Sequence, residues 1–185
     1  MRGLDLAAME PEAGDTPFGK RSSAGKIFGA TGGVMEAAVR TAYHMVTGKA
    51  IPDLKVRAVR GFKGVKEARI DVGGTEIGVA VVSGLENARQ LLDEVKAGRK
   101  DLHFIEVMTC PGGCIAGGGQ PLGTDRDAVK ARMQALYRID RDETVRTSHE
   151  NPAIQRIYDE FLGEPLGEKS HELLHTTYAK RDVVV

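Results

Sequence analysis

Apolar residues along this chain switch between a helical and a strand period, and each switch marks an element boundary. Residues up to 25 follow neither period, are rich in Ala, Glu, Gly and Pro, and read as an arm or loop. From Thr31 the period is helical: Val34, Met35, Ala38, Ala42, Met45 and Val46 share a face, and Gly48 follows as a stop signal. Pro52 and Asp53 mark a turn. Of three β-like stretches, 56–59 is short, 68–72 alternates, and 77–82 is almost continuously apolar, as expected of a strand covered on both faces. Gly73-Gly74 between the last two predicts a hairpin. Ser83 and Glu86 have the spacing of a capping box, ahead of a helical stripe of Leu85, Ala88, Leu91, Leu92 and Val95 that ends at Gly98. Residues 104–108 read as another buried strand, running straight into Thr109-Cys110-Pro111-Gly112-Gly113-Cys114. A strand, a helix, a strand and a glycine loop predict an α/β layer with the loop at its carboxyl edge, where sites gather.

Beyond Asp125 the pattern is helical throughout. Val129, Met133, Leu136 and Tyr137 mark one helix. Asn151 as cap with Pro152 in the first turn opens the next, striped by Ile154, Ile157, Tyr158 and Phe161 and closed by Gly163. Residues 170–178 form a last short helix. The expected organisation is an α/β unit over 1–124 and a helical segment over 125–185 wrapped around it.

Composition narrows the function. The 185 residues carry 26 Lys+Arg and 26 Asp+Glu, so there is no electrostatic case for nucleic acid or an anionic membrane. No apolar run approaches the ~20 residues of a membrane span, and the N-terminus lacks the apolar stretch of a secretory signal. The expectation is a cytoplasmic protein. The 23 glycines concentrate in 25–33 and 112–119, where the main chain must bend sharply or approach something closely. Two cysteines, Cys110 and Cys114, are too few for a disulfide framework, which leaves metal or redox chemistry as the alternative.

Three motifs carry candidate chemistry. In Cys110-Pro-Gly-Gly-Cys114, followed by Ile115-Ala-Gly-Gly-Gly-Gln120-Pro121, two thiolates in a glycine loop can turn toward one inorganic cluster while the loop amides face its sulfurs. A structural turn or a reversible disulfide fits the spacing as well. The glycine run and Met108, whose thioether suits a soft pocket, favour metal. Gly25-Lys-Ile-Phe28-Gly29-Ala-Thr31-Gly32-Gly33 opens the first helix. It departs from G-x-G-x-x-G and has no buried strand before it, so a tight helix entry, or a helix N-terminus aimed at an anionic cofactor, fits better than a nucleotide loop. His171-Glu172-Leu173-Leu174-His175 is a literal H-E-x-x-H, but only Asp182 follows as a third ligand, so a capped helix with structural histidines is the preferred reading over zinc hydrolysis.

The stretch from Phe104 to Pro121 resembles the third signature of iron-only (FeFe) hydrogenases. Pro17-Phe18-Gly19 together with residues 27–38 resembles the glycine-rich stretch lining the same cluster. Ser148-His149-Glu150-Asn151-Pro152 and the H-E-x-x-H segment resemble a helical part that some members carry as a small subunit. The resemblance covers residues 17–178. It implies one lobe of the hydrogenase catalytic domain, a mostly parallel sheet flanked by helices, with a C-terminal helical segment. It also implies an H-cluster, a 4Fe–4S cubane joined through a cysteine to a two-iron centre bearing CO, cyanide and azadithiolate, which interconverts protons, electrons and dihydrogen. Cys110 would then be a cubane ligand and Cys114 the ligand that also bridges to the two-iron centre, with Met108, Phe28, Gly29 and Gly113 packed around the cofactor. Two earlier family signatures, T-S-C-C-P and P-C-x-x-K, are absent from this sequence. They supply the other two cubane ligands and the proton-donor cysteine, so no catalytic proton donor is identified here. The expectation is a split or truncated hydrogenase subunit completed by a chain with the other cysteines and served by a ferredoxin-type or NAD-linked electron-transfer subunit. The alternative is a non-catalytic iron–sulfur assembly or sensor relative, against which Pro111-Gly112-Gly113 weighs.

Overall fold

The structure is a computed structural model that describes residues 5, 8–16, 19–52 and 57–179. In chain order the elements are α1 (Ser23–Lys26) with a 3-10 turn (Ile27–Gly29), α2 (Gly33–Thr47), β1 (Val65–Val72), β2 (Thr75–Ser83), α3 (Leu85–Lys96) and β3 (Phe104–Met108). A 3-10 turn (Cys114–Ala116), α4 (Arg126–Asp142), α5 (Pro152–Ile157) running into a π turn (Tyr158–Leu162), and α6 (Glu168–Leu174) follow among the described residues.

The sheet has the order β1-β2-β3. β1 and β2 form the predicted hairpin, with Val72 opposite Thr75 across Gly73-Gly74. β2 and β3 run parallel, joined by α3 as crossover, with Val79 opposite Phe104 and Ser83 opposite Met108. The α/β class holds, and the sheet is mixed, with one pairing of each kind.

Side-chain alternation along β2 builds two cores. Val79 and Val81 face α2, packing with Met35, Val39, Val59, Ile70 and Val72, while Ala80 and Val82 face Ala88 and Leu91 of α3. Covering both faces is what makes 78–82 continuously apolar and buried. A third core joins Ala30 and Ile115, one from each glycine loop, to Val129 and Met133 of α4. The helical segment thus rests on the two loops that carry the candidate chemistry.

Several expectations change. Residues 23–26 are helical, with Ser23 and Ala24 fully buried, because Ser23 is drawn to Asp140 on α4. Val59, read as part of a strand, lies in a turn; Val56 and Asp53 are outside the described residues. In the predicted stripes Met45, Val46, Leu85 and Leu92 are exposed, since α2 extends past the sheet and α3 touches it along a narrow line. β3 is not a buried strand: it is the sheet edge, Phe104 and Val107 are 40% and 43% exposed, and its one buried side chain is Glu106. Among the described residues no helix is long and apolar enough to cross a membrane.

A buried charge network fixes α4 against the α/β unit. Glu36 and Asp140 are both fully buried. Arg40 bonds Glu36 and makes a two-pronged contact with Asp140 at 2.7 and 2.6 Å; Arg60 holds Glu36 at 2.8 and 2.6 Å. Ser23 at 2.6 Å and Arg146 at 3.0 Å complete the shell of Asp140. Charges so deep are tolerated only when their hydrogen-bonding groups are met in this way.

Candidate metal centre

The parallel pairing of β2 and β3 brings both strand ends to one edge of the sheet, and the cysteine loop leaves from there. The Ser83 hydroxyl, at the end of β2, donates to the Cys110 carbonyl at 3.2 Å and accepts from the Gly112 amide at 3.0 Å. Ser83 therefore staples the turn that follows β3. It does not cap α3, whose N-cap is Gly84. The strand ends one residue too late for the capping box, and the hydroxyl is used across the sheet.

The second glycine loop closes over the first. Thr31 donates its amide to the Gly112 carbonyl at 3.1 Å. Gly113, at φ +100°, is pressed against 29–31 so closely that a Cβ there would lie 2.7 Å from the Gly29 carbonyl oxygen. Gly29 itself backs onto Leu136 and Ile115. The N-terminus of α2 is not open to an anionic cofactor: Glu106 reaches over from β3 and accepts from the amides of Gly32 at 2.6 Å and Met35 at 2.7 Å. A carboxylate there satisfies the orphan amides and the helix dipole, so the chain supplies its own anion.

Cys110 and Cys114 are free thiols, one half-buried and one exposed. A disulfide is not formed. A Cβ on Gly117 would sit 3.3 Å from the Cys110 sulfur, so the glycine run folds back beside that thiol. Met108 ends β3 half-buried, two residues before Cys110. Phe28 is 43% exposed and lines a different cavity of about 470 Å³ with Lys20, Asn151 and Ile154, which no cysteine borders. The structure thus brings Cys110, Gly113 and Gly29 together and leaves Phe28 facing the helical segment. Pro17 and Phe18 lie outside the described residues.

The H-E-x-x-H helix ends at Leu174, so His175 is extended, not helical, and its ring stacks on His171 with centroids 4.2 Å apart. The i, i+4 geometry of a zinc site is lost because the helix stops one residue short, and starts at Glu168 where Ser170 was expected. Among the described residues no group of three or more His, Cys, Asp or Glu side chains is placed to hold a metal ion.

Residues 1–118 match the family model of the iron only hydrogenase large subunit, C-terminal domain. The chain belongs to the FeFe hydrogenases. Residues 126–181 match the model of the iron hydrogenase small subunit. Over 179 residues the chain is 50% identical to the NADP-reducing hydrogenase subunit HndD of Solidesulfovibrio fructosivorans, covering 96% of this chain and 30% of that one. Iron hydrogenase 1 of Clostridium pasteurianum is 39% identical over 182 residues, with 96% and 32% coverage. A cytosolic Fe-S cluster assembly factor of Xenopus tropicalis is 29% identical over 184 residues. Among solved structures, FeFe hydrogenase HydA1 of Chlamydomonas reinhardtii superimposes with a TM-score of 0.73 at 42% identity, covering 96% of this chain and 51% of that one. The chain spans about a third of the curated relatives it matches and about half of the solved chains.

The residues present fit half of a cluster site. A cubane takes four thiolates, and this sequence has two cysteines. Both are free, both sit on one glycine turn, and the Thr31 hydroxyl beside that turn is buried without a partner among the described residues. An orphaned buried hydroxyl at this turn fits a site lined for a bound group.

Sequence reasoning missed Ser83 as a staple, Lys66 altogether, and the contacts that Glu106 and Thr31 make from within the motifs that contain them. A signal existed for two of them. Glu106 interrupts an apolar strand, and Lys66 occupies an inward position of an alternating one, with Ile70 and Val72 buried on the same face.

Proposed function

We propose that this chain supplies Cys110 and Cys114 as two of the thiolate ligands of the H-cluster of an FeFe hydrogenase, the remaining ligands and the proton-donor thiol coming from polypeptide beyond this sequence. The observation that carries the reading is the meeting of two glycine loops at the turn that bears two free thiols, at the carboxyl edge of the sheet. The 50% identity with a hydrogenase subunit supports it over the assembly-factor reading, whose relatives are 27–31% identical. Residues 1–124 act as the cluster-binding lobe, and 125–185 brace both loops through α4.

When bound, the cluster supplies the metal chemistry that combines two protons and two electrons into dihydrogen, reversibly. The chain's own contribution is placement. Cys110 and Cys114 would supply two of the thiolates that hold the cluster's iron. Ser83 and Thr31 fix the turn between the thiols, the glycines admit the cofactor without side-chain collision, and Met108 adds a soft apolar wall. A ferredoxin-type or NAD-linked subunit in the cytoplasm delivers electrons to the assembled enzyme.

The test is anaerobic maturation of the chain together with a polypeptide bearing the two missing signatures. Carbonyl and cyanide infrared bands are expected in the complex and are lost in Cys114→Ser. The isolated chain is expected to evolve no hydrogen. Steady hydrogen production by the pure chain, or equal two-iron incorporation in wild type and Cys114→Ser, overturns the reading.

A further inference from the structure

Lys66 is 5% exposed and sits in β1 on the face that packs against α2 and the first glycine loop. Among the described residues its ammonium makes no ion pair. It is held by main-chain carbonyls, those of Gly61 at 2.9 Å and Thr31 at 3.3 Å. Burial pulls its pKa down to about 8, with the negative charge of Glu106 working the other way, so it keeps its proton at neutral pH. Glu106, 6% exposed, spends its oxygens on the amides of Gly32 and Met35. Thr31 is the hinge between this pair and the cysteines: its carbonyl accepts from Lys66 while its amide donates to Gly112. One residue separates a buried cation from the turn that bears both thiols.

An unpaired buried ammonium is a costly way to fill a core position. Its field, however, is weakly screened there and reaches neighbouring charge far more strongly than a surface lysine would. A cluster held by Cys110 and Cys114, with its thiolates, sulfides and cyanides, would concentrate negative charge next to this loop.

We propose that Lys66 is the buried cation that tunes the electron density of the cluster held by Cys110 and Cys114, with Glu106 as the opposing charge. This rests on the hydrogenase reading above. Lys66 touches neither thiol, so it is not a catalytic residue and acts by its field, from the far side of Thr31. Its signature is a matter of sign. Removing the cation leaves more electron density on iron, strengthens back-donation into CO and makes reduction harder. Removing the Glu106 charge does the reverse. Mere loosening of the loop has no reason to move the two in opposite directions.

The experiment uses the matured complex and reads infrared bands and apparent reduction potential. Lys66→Met is expected to move the CO bands to lower wavenumber and the potential to more negative values, and Glu106→Gln to move both the opposite way. Lys66→Arg stays near wild type. Lys66→Gln, which keeps a donor for the two carbonyls, follows Lys66→Met and stands in should the methionine variant fail to fold. Bands and potential unchanged in the neutral variants, or shifts of the same sign at both positions, overturn the inference. Absence of carbonyl bands from wild type and every variant alike instead removes the hydrogenase reading, and this inference with it.

Discussion

A methyl group added at Gly113 meets three backbone atoms at once, Thr31 N at 2.6 Å, the Gly29 carbonyl oxygen at 2.7 Å and Ala30 C at 2.9 Å. None of these can rotate aside as a side chain would. The residue also sits at φ +100°, ψ −168°, a region open in practice to glycine alone. Holding alanine there costs about 1–3 kcal/mol in backbone strain. Forcing the loops apart costs about 1–3 kcal/mol more. Gly113→Ala is therefore expected to lose roughly 2–6 kcal/mol, a large share of the ~5–15 kcal/mol that holds a domain folded. Urea unfolding gives the loss, and amide exchange at Thr31, whose N–H is tied to the Gly112 carbonyl, tells whether the loops have parted. Gly118→Ala is the control: nothing lies within 4 Å of its Cβ and its φ is not positive, so its effect should stay within about 0.5 kcal/mol. If Gly113→Ala unfolds like wild type with Thr31 still protected, the two loops do not meet as described.

Asp140 gives a pH dependence. Burial works to raise its carboxyl, but hydrogen bonds from Arg40 and Ser23, the charge of Arg40 and a bond from Arg146 outweigh that and hold it well below the usual range. A folded-state pKa below the unfolded one means its stabilisation is complete above about pH 4 and drains away as pH falls toward the depressed value. Asp140→Asn should flatten that acid limb in thermal melts between pH 6 and 2, and lower neutral stability by about 3–5 kcal/mol because Arg40 and Arg60 then share the one remaining buried carboxylate, Glu36; an unchanged limb refutes the assignment. Ser83→Ala strands the buried Gly112 amide, at a cost of about 1–3 kcal/mol, and should speed exchange at that amide without altering far-UV dichroism. Wild-type protection at Gly112 would show that Ser83 is not the staple.

The sequence by itself determined what is local. Periodicity located α2, the hairpin at Gly73-Gly74, the covered strand β2 and the Asn151-Pro152 helix start, because these depend on dihedral preference and on neighbours a few positions away. The signature around Cys110 and Cys114 identified the family for the same reason: a run of consecutive residues carries it. Only the tertiary structure decided the rest. Whether Ser83 caps a helix or staples a turn depended on where β2 ends relative to β3. β3 looked buried because its residues are apolar, but burial depends on what covers a strand, and here a charged side chain takes the inward place. Glu106 reaches Gly32 across 74 positions and Ser23 reaches Asp140 across 117. No local pattern encodes a partner at that distance, because which charge a buried carboxylate finds is set by the packing of elements and not by its neighbours in the chain.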